Sequence, residues 1–292
     1  MVNFLKYKKI YYIFSLTLAI VSLAVLLTFG LNLGIDFTGG SILELDFETR
    51  AEHPAIQAKL KDLNLGEVII QPTGEKGVIL RFQDVDENTH QTILAQLNEL
   101  SQASERRFES VGSVIGRELK QKTIMLVIVS LAALLFYIAL AFRKVSRPVQ
   151  SWQYGIVSII ALFFDVLIPL GVFSFLGRFY GIQFTIPMVT ALLTILGYTI
   201  NDKVIIFDRV RENLLKSHQE HFEDLINQSL NQILLRSLST GTCTLLVLFS
   251  IFFFGGETLK YFALTLIIGI VVGTYSSIFL AAPFLTRFSK NA

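Results

Sequence analysis

The sequence predicts an α-helical membrane protein with six transmembrane helices and one small α+β domain, of ferredoxin-like topology, between the first and second helices. Composition gives the first sign, because 52% of the 292 residues are hydrophobic and 16% are charged, against about 25% charged in a typical soluble domain. Six apolar runs are long enough to cross a bilayer, and the segment 32–121 has ordinary soluble composition. A single soluble domain, a disordered chain and a disulfide-stabilised secreted protein are therefore excluded, the last because Cys243 is the lone cysteine.

The predicted spans are residues 10–30, 123–142, 152–176, 184–207, 233–254 and 262–285. At about 1.5 Å per residue, each covers the roughly 30 Å hydrocarbon core of a bilayer. The first run is too long for the apolar part of a cleavable signal peptide, and no A-x-A-like cleavage site follows it. We therefore expect it to be a retained anchor.

Lysine and arginine residues are concentrated in the loops on one side of the predicted spans, which the positive-inside rule makes cytoplasmic. These residues are Lys6, Lys8, Lys9, Arg143, Lys144, Arg147, Arg209, Arg211, Lys216, Arg287 and Lys290. The short loops of the other side hold only Arg178 and Lys260. We expect residues 1–31 to be a cytoplasmic N-terminus and the first span, and residues 32–121 to be an extracytoplasmic domain. Residues 122–292 then hold spans two to six, a cytoplasmic loop at 208–232 and a cytoplasmic C-terminus.

The domain at 32–121 shows an alternating strand pattern at 41–48 and helical spacing at 54–63 and 87–100. Residues 67–71 and 78–82 are predicted as two strands around a turn-rich connector, and 107–111 is a candidate for the last strand. The order β-α-β-β-α-β is that of a ferredoxin-like split unit. His53 and His90 are single histidines among polar neighbours, so we expect both at the surface. The domain shows no catalytic constellation, and we expect a binding or moving part rather than an enzyme.

A glycine-rich string, GIDFTGG at 34–40, lies where the first span meets this domain. Glycines so close together indicate a tight turn or close backbone packing, with a plain hinge loop as the alternative. The spacing fits no phosphate-binding loop. The residues of interest in this string are Gly34, Asp36, Gly39 and Gly40.

Polar residues recur every three or four positions along the fourth predicted span, which places them on one helix face. They are Thr190, Thr194, Tyr198, Asn201 and Asp202. A charge in a span costs at least about 2.5–3.5 kcal/mol on insertion scales, so such a residue is usually functional. We interpret Asp202 as an ionisable site on a water-accessible polar seam, with a structural carboxylate as the alternative.

Arg236, near the start of the fifth span, is the predicted partner of Asp202, because the fourth and fifth spans are antiparallel and both residues lie near the loop that joins them. Thr240 and Thr244 share its helix face and extend the polar seam. The alternative is that Arg236 extends to the cytoplasmic headgroups. A helix movement that changes the separation of carboxylate and guanidinium would switch Asp202 between binding and releasing a proton.

Two further charges lie within spans. Asp165, in the middle of the third span, is either a structural hydrogen-bonding group or part of a proton relay. Lys203 follows Asp202 directly and therefore points away from it, so we expect it to extend toward the inner membrane surface. In the sixth span, Gly269, Gly273 and Ser277 form a face of small residues for close helix packing, either within the bundle or against a partner subunit.

Several strings resemble motifs of the SecF family, subunits of the bacterial protein-export complex SecDF. They are GIDFTGG at 34–40, GYTIND at 197–202 with VIIFDRVREN at 204–213, Arg236-Ser237 with 240–244, and GTYSSI at 273–278. The resemblance covers nearly the whole chain. It implies half of a resistance-nodulation-division (RND) type transporter fold, a SecD partner, and action with the SecYEG channel and the SecA motor on unfolded preproteins.

The same resemblance implies that the proton gradient drives the complex. It places Asp202 and Arg236 at the positions of the family's functional intramembrane acid and base. Asp165 falls at the position of a carboxylate that is typical of the family's third span. Phe164 and Lys203 depart from the family pattern, which more often has histidine and a small hydroxyl residue there. The implied location is the bacterial inner membrane, with a thylakoid membrane as the alternative. Membrane lipid is an expected contact, whereas no cofactor, metal or nucleic acid is expected.

Three other functions are alternatives to the one that this resemblance implies. A small-molecule or ion transporter of the RND superfamily needs twelve spans and two large outer domains. An intramembrane aspartyl protease needs two cooperating carboxylates, and the sequence has no G-x-G-D string. A passive structural subunit would keep its activity when Asp202 is replaced.

Overall fold

The computed structural model describes residues 2–49, 52–74, 76–141, 151–216 and 221–289. Contacts divide the chain into two compact units, Leu33–Met125 and the pair Met1–Asn32 with Leu126–Ala292. The elements are, in chain order, α1 (Lys8–Phe29), α2 (Ile35–Thr38), β1 (Gly40–Phe47), α3 (His53–Leu60), β2 (Ile69–Thr73), β3 (Gly77–Phe82), α4 (Glu87–Asn98), β4 (Ala103–Val111), α5 (Ser113–Ala141), α6 (Ser151–Tyr180), α7 (Ile186–Lys216), α8 (Phe222–Phe254), α9 (Gly256–Tyr275) and α10 (Ala282–Ser289). A π-helical segment, Ser276–Ala281, joins α9 to α10.

Among the described residues, six helical stretches are long and apolar enough to cross a membrane, namely α1, α5, α6, α7, α8 and the stretch from α9 to α10. The prediction of six spans is confirmed. Several helices are longer than the apolar runs, because the polar residues that flank those runs are themselves good helix formers. The segment 208–232, predicted as a loop, is therefore largely helical, since α7 extends to Lys216 and α8 begins at Phe222. The basic residues Arg143, Lys144, Arg147 and Lys290 lie outside the described residues.

In the membrane unit, α6, α7 and the sixth span are the most buried stretches, whereas α1 and α5 are the least buried. Helix α7 packs against α6, α8 and α9, and α1 packs along α6. The apolar core of this unit includes Tyr154, Ile200, Phe207, Ile226 and Leu285, each nearly or fully buried. The central position of α7 places its polar residues among three neighbouring helices.

The N-terminal segment is attached to the beginning of α8. Lys8 Nζ lies 2.6 Å from Glu223 Oε1, and the backbone N–H of Phe4 donates to Asn227 Oδ1 at 2.8 Å. The N-terminal ends of α1 and α8 therefore lie at the same end of the membrane unit.

The second unit contains a four-stranded antiparallel sheet in the order β2-β3-β1-β4. Leu43 on β1 lies opposite Leu80 on β3 and Phe108 on β4, and a bulge interrupts the β1–β4 pairing between Glu44 and Leu45. The two helices α3 and α4 follow β1 and β3, so the predicted ferredoxin-like topology is confirmed.

One face of this sheet and the two helices form the apolar core of the domain. The fully or almost fully buried side chains are Leu43, Leu45, Phe47, Ile56, Leu60, Val78, Leu80, Phe82, Ile93 and Leu97. Asp86 caps α4 by accepting a hydrogen bond from the Thr89 backbone N–H at 3.0 Å. This bond and one from the Thr89 hydroxyl lower the pKa of Asp86, because they favour its charged form.

His90 does not lie at the surface, so that prediction was wrong. Its side chain is 4% exposed and stacks on Phe108 with 3.7 Å between ring centroids. Its Nδ1 lies 3.2 Å from Glu87 Oε1. The reason is helical periodicity: His90 lies three and seven residues before Ile93 and Leu97, on the face of α4 that covers the sheet.

Candidate functional site

Asp202 lies on α7 at its contact with α8. The residue is 7% exposed, and Ser237 Oγ, on α8, donates a hydrogen bond to Asp202 Oδ1 at 3.3 Å. Ser237 itself is almost fully buried. A neutral hydroxyl at this distance is a weak partner for a carboxylate. Asp202 therefore occupies a buried position in the membrane unit without a hydrogen-bonding cation among the described residues.

The predicted ion pair between Asp202 and Arg236 is not formed. The ion pairs found among the described residues do not include one between these two, and the Arg236 side chain is exposed. Adjacent residues on an α-helix point about 100° apart, so Ser237 faces α7 while Arg236 points away. The sequence identified the correct part of α8, and Ser237 was the partner it missed.

Asp165 forms the ion pair that Asp202 lacks. Lys203 Nζ, on α7, lies 2.6 Å from Asp165 Oδ2 on α6, and both side chains are 0% exposed. Ser276 Oγ donates to Asp165 Oδ1 at 2.5 Å. The pair and its hydroxyl therefore join α6, α7 and the π-helical segment in the interior of the unit.

Lys203 was expected to extend toward the membrane surface, and that prediction was wrong. Its neighbour Asp202 faces α8, while Lys203, one residue later, faces Asp165 on α6. The sequence signal that would have predicted this contact is the presence of a lysine and an aspartate within two different spans. Opposite charges inside a membrane usually pair with each other, because an unpaired charge there is expensive.

The residues of the predicted polar seam lie mostly on the outside of the membrane unit. Thr190, Thr194, Asn201 and Thr240 are exposed, and Thr244 and Tyr198 are half-buried. Each of the four threonine hydroxyls donates to the carbonyl four residues earlier on its own helix, at 2.8 to 3.2 Å. The Tyr198 hydroxyl oxygen is buried and has no hydrogen-bond partner among the described residues.

The face of small residues in the sixth span packs against α7 within this chain. A methyl group at Gly269 would overlap Ile195 Cδ1, and one at Gly273 would overlap Thr199 Cγ2. Ser277 is fully buried and donates to the Gly273 carbonyl at 2.7 Å. Of the two alternatives left open by the sequence, packing within the bundle is the one that the structure shows.

Replacing Gly273 with alanine is expected to lower the stability of the membrane unit by about 1–3 kcal/mol, the usual cost of overpacking a well-packed core. Thr199 is β-branched and cannot move aside easily. Thermal unfolding of the purified chain measures the effect. Gly197→Ala is the matched control, because a methyl group at Gly197 on α7 has nothing within 4 Å. Equal melting temperatures for the two variants would contradict close packing at Gly273.

The glycine-rich string forms a tight, packed turn in the unit Leu33–Met125. Gly34 precedes the one-turn helix α2, which contains the half-buried Asp36 and which the sequence did not predict. Gly39 has φ +78°, and a Cβ there would lie 2.7 Å from Ser113 Cα. Gly40 has φ +123°, and a Cβ there would lie 2.8 Å from the Phe82 carbonyl oxygen.

We expect Gly39→Ala to destabilise the ferredoxin-like domain by about 1–3 kcal/mol, through an unfavourable backbone conformation together with the close contact. Hydrogen exchange of β1 and of the beginning of α5, in the full chain, reports this loss. Gly74→Ala separates the two causes, because Gly74 has φ +58° but open space around its Cβ position. If the two variants lose protection equally, packing at Gly39 contributes nothing.

Within the residues that the structure describes, no group of three or more histidine, cysteine, aspartate or glutamate side chains is arranged to hold a metal ion. In the described part of the membrane unit, the buried charged residues are Asp165, Asp202 and Lys203.

Two family descriptions match the chain. Residues 90–291 match "Protein export membrane protein SecD/SecF, C-terminal", and residues 24–49 match "SecD/SecF GG Motif". The second match includes the packed glycine turn.

The chain is also similar to whole proteins. It is 38% identical to the protein translocase subunit SecF of Thermobaculum terrenum, over 100% of this chain and 95% of that protein. It is 38% identical to the SecF of Sebaldella termitidis, over 98% of this chain and 92% of that protein.

Solved structures of SecDF resemble it as well. The crystal structure of SecDF from Thermus thermophilus, a translocon-associated membrane protein, matches with a TM-score of 0.86 and 33% identity over 100% of this chain. A crystal structure of SecDF in a super-membrane-facing form matches with a TM-score of 0.70 and 32% identity over 99% of this chain. The chain spans 39% of the length of each SecDF chain. Family descriptions, full-length relatives and fold agree that the chain belongs to the SecF family.

Proposed function

We propose that this chain is an accessory subunit of a protein-export machinery, working with SecD, the SecYEG channel and the SecA motor on unfolded preproteins. Full-length similarity to protein translocase subunits named SecF carries this proposal. In the SecDF structures the matching part is 39% of a longer chain, which supports SecD as the partner that supplies the remainder. The role is mechanical and involves no catalysis of a chemical reaction.

We infer that Asp202 couples this work to the proton gradient. Support comes from the contrast between the two buried aspartates: Asp165 is paired with the Lys203 ammonium, whereas Asp202 has a hydroxyl as its hydrogen-bond partner. A carboxylate in the membrane interior without a paired cation is favoured in its protonated form, so it can carry a proton and release it where water or a cation reaches it. Each charge that crosses the membrane potential releases about 2.3 kcal/mol per 100 mV, which suffices to bias a helix movement.

The proposed location is the bacterial inner membrane, with both termini in the cytoplasm and the ferredoxin-like domain outside. The shared end of α1 and α8 supports this orientation, because the lysines at the N-terminus and the basic residues at the end of α7 then belong to one membrane side. A thylakoid membrane is the alternative location.

Deleting the gene for this chain from its host tests the proposal. Precursors of secreted proteins should accumulate inside the cells, and the returned wild-type gene should restore their export. An affinity tag on the chain should also recover SecD from the solubilised membrane. Normal secretion in the deletion strain, together with altered sensitivity to small toxic compounds, would favour the RND small-molecule transporter instead.

A further inference from the structure

His90 of the ferredoxin-like domain lies between two carboxylates that belong to different elements. Its Nδ1 is 3.2 Å from Glu87 Oε1, one turn earlier on α4, and its Nε2 is 3.2 Å from Glu105 Oε2 on β4. The ring is almost fully buried and stacks flat on Phe108, which is also on β4. The two ring nitrogens of His90 therefore face carboxylates on the two sides of the contact between α4 and β4.

A neutral imidazole cannot satisfy both carboxylates. It has one N–H and one acceptor nitrogen, whereas an ionised carboxylate only accepts hydrogen bonds. When Nδ1 donates to Glu87, the lone pair of Nε2 faces the Glu105 carboxylate, and Nε2 has no hydrogen-bond partner among the described residues. A protonated ring carries an N–H on each nitrogen and a positive charge, so that each carboxylate then faces a charged donor.

Other charged groups on the elements packed around α4 are paired elsewhere or lie on the other face of the sheet. Glu44 of β1 lies on that other face, because its neighbours Leu43 and Leu45 belong to the core. Hydrogen bonds from Gln91 and His90 lower the pKa of Glu87, so that carboxylate is charged in the pH range where imidazoles titrate. The groups with partners of their own are Lys59 with Glu99, Arg106 with Asp46, Arg107 with Glu109, Arg81 with Gln71, and Asp86 with Thr89.

We propose that His90, Glu87 and Glu105 form a pH-dependent switch: when His90 is protonated, it binds both carboxylates and holds α4 against β4. Histidine is the side chain whose charge ordinarily changes between about pH 5 and 8. The effect should be largest at β4, because β4 is an edge strand that pairs with β1 alone. In the proposed orientation the domain lies on the side where the proton gradient concentrates protons. That consequence rests on the proposed function, whereas the switch itself does not.

The alternative is a histidine that stays neutral and only fills space between α4 and the sheet. The two interpretations differ in how the contact responds to pH. A space-filling ring protects the surrounding backbone equally at all pH values near neutrality. In the switch, the closed contact binds a proton that the opened contact does not hold, so the protection gained at low pH is lost as the pH rises.

The test is hydrogen exchange of the full chain in lipid nanodiscs at about pH 5.5 and about pH 8, on the two sides of the ordinary imidazole titration. Each exchange rate is divided by the intrinsic rate at the same pH. We expect β4 and the first turns of α4 to be several-fold better protected at the lower pH in the wild type. His90→Phe should show no such difference, because phenylalanine can still stack on Phe108 but cannot be protonated.

Glu105→Gln should also lose the pH response, since its amide N–H can donate to the acceptor nitrogen of a neutral ring. The matched control is His53→Phe, because His53 is an exposed histidine at the beginning of α3 in the same domain. It should respond to pH as the wild type does.

A wild type without a pH response at β4 overturns the proposal, as does a response that His90→Phe retains. If His90→Phe fails to fold, the comparison rests on Glu105→Gln, which keeps the ring, and a response equal to that of the wild type overturns the proposal. Exchange is measured without any export reaction, so failure of the switch is distinguishable from failure of the proposed function.

Discussion

Replacing Asp202 with asparagine is expected to abolish the stimulation of protein export by the proton gradient, down to the level of membranes that lack the chain. Asparagine is nearly the same size and can still accept the Ser237 hydrogen bond, so the fold should survive. What it loses is the ability to carry a proton. The measurement is export of a labelled preprotein into inverted membrane vesicles, with and without an imposed proton gradient.

Asp62→Asn is the control for this prediction, because Asp62 undergoes the same chemical change at an exposed position of the ferredoxin-like domain. It should leave export unchanged. Ser237→Ala should have a smaller effect than Asp202→Asn, since it removes one weak partner and leaves the carboxylate in place. Full gradient-dependent export by the Asp202→Asn protein, at normal abundance, would leave the chain with a passive structural role.

The second large effect is expected for Asp165. Replacing it with asparagine leaves the Lys203 ammonium buried without a counter-charge, and removing one partner of a buried ion pair typically costs about 3–5 kcal/mol. The purified chain should therefore unfold at a markedly lower temperature, and less of it should accumulate in the membrane. Thermal unfolding in detergent, with the amount in membranes measured by immunoblot, tests this expectation.

The double variant Asp165→Asn with Lys203→Met should recover most of that loss, because a neutral buried pair has no unpaired charge to desolvate. Lys216→Met is the control, because it removes a lysine from the exposed pair with Glu212. An exposed ion pair contributes little to the free energy of unfolding, so this variant should be about as stable as the wild type. A double variant that is as unstable as Asp165→Asn alone would show that the pair contributes something other than charge neutrality.

The six spans and the ferredoxin-like order were predictable because hydropathy and periodicity are properties of single segments. Helix ends were less predictable. Polar, helix-forming residues extend α7 to Lys216 and begin α8 at Phe222, and no apolar pattern marks such extensions. The one-turn helix α2 was missed because four residues carry no measurable periodicity.

The buried pairs were harder to predict, because they depend on which side of a helix faces which neighbour. Asp202 and Arg236 were expected to pair from their depths alone, but depth does not fix rotation about the helix axis. A difference of one residue, about 100° around the helix axis, determines the partner. Asp202 therefore contacts Ser237 rather than Arg236, and Lys203 contacts Asp165. His90 shows the same lesson in the other domain, since its helix face, and not its polar neighbours, determined its burial.

The threonines on the outside of α7 and α8 have a consequence for how this surface contacts lipid. The hydroxyl groups of Thr190, Thr194, Thr240 and Thr244 each donate a hydrogen bond to a carbonyl of their own helix. They therefore leave few unsatisfied hydrogen-bonding groups toward the surrounding acyl chains. This part of the surface can therefore lie against lipid without leaving those hydroxyl groups unpaired.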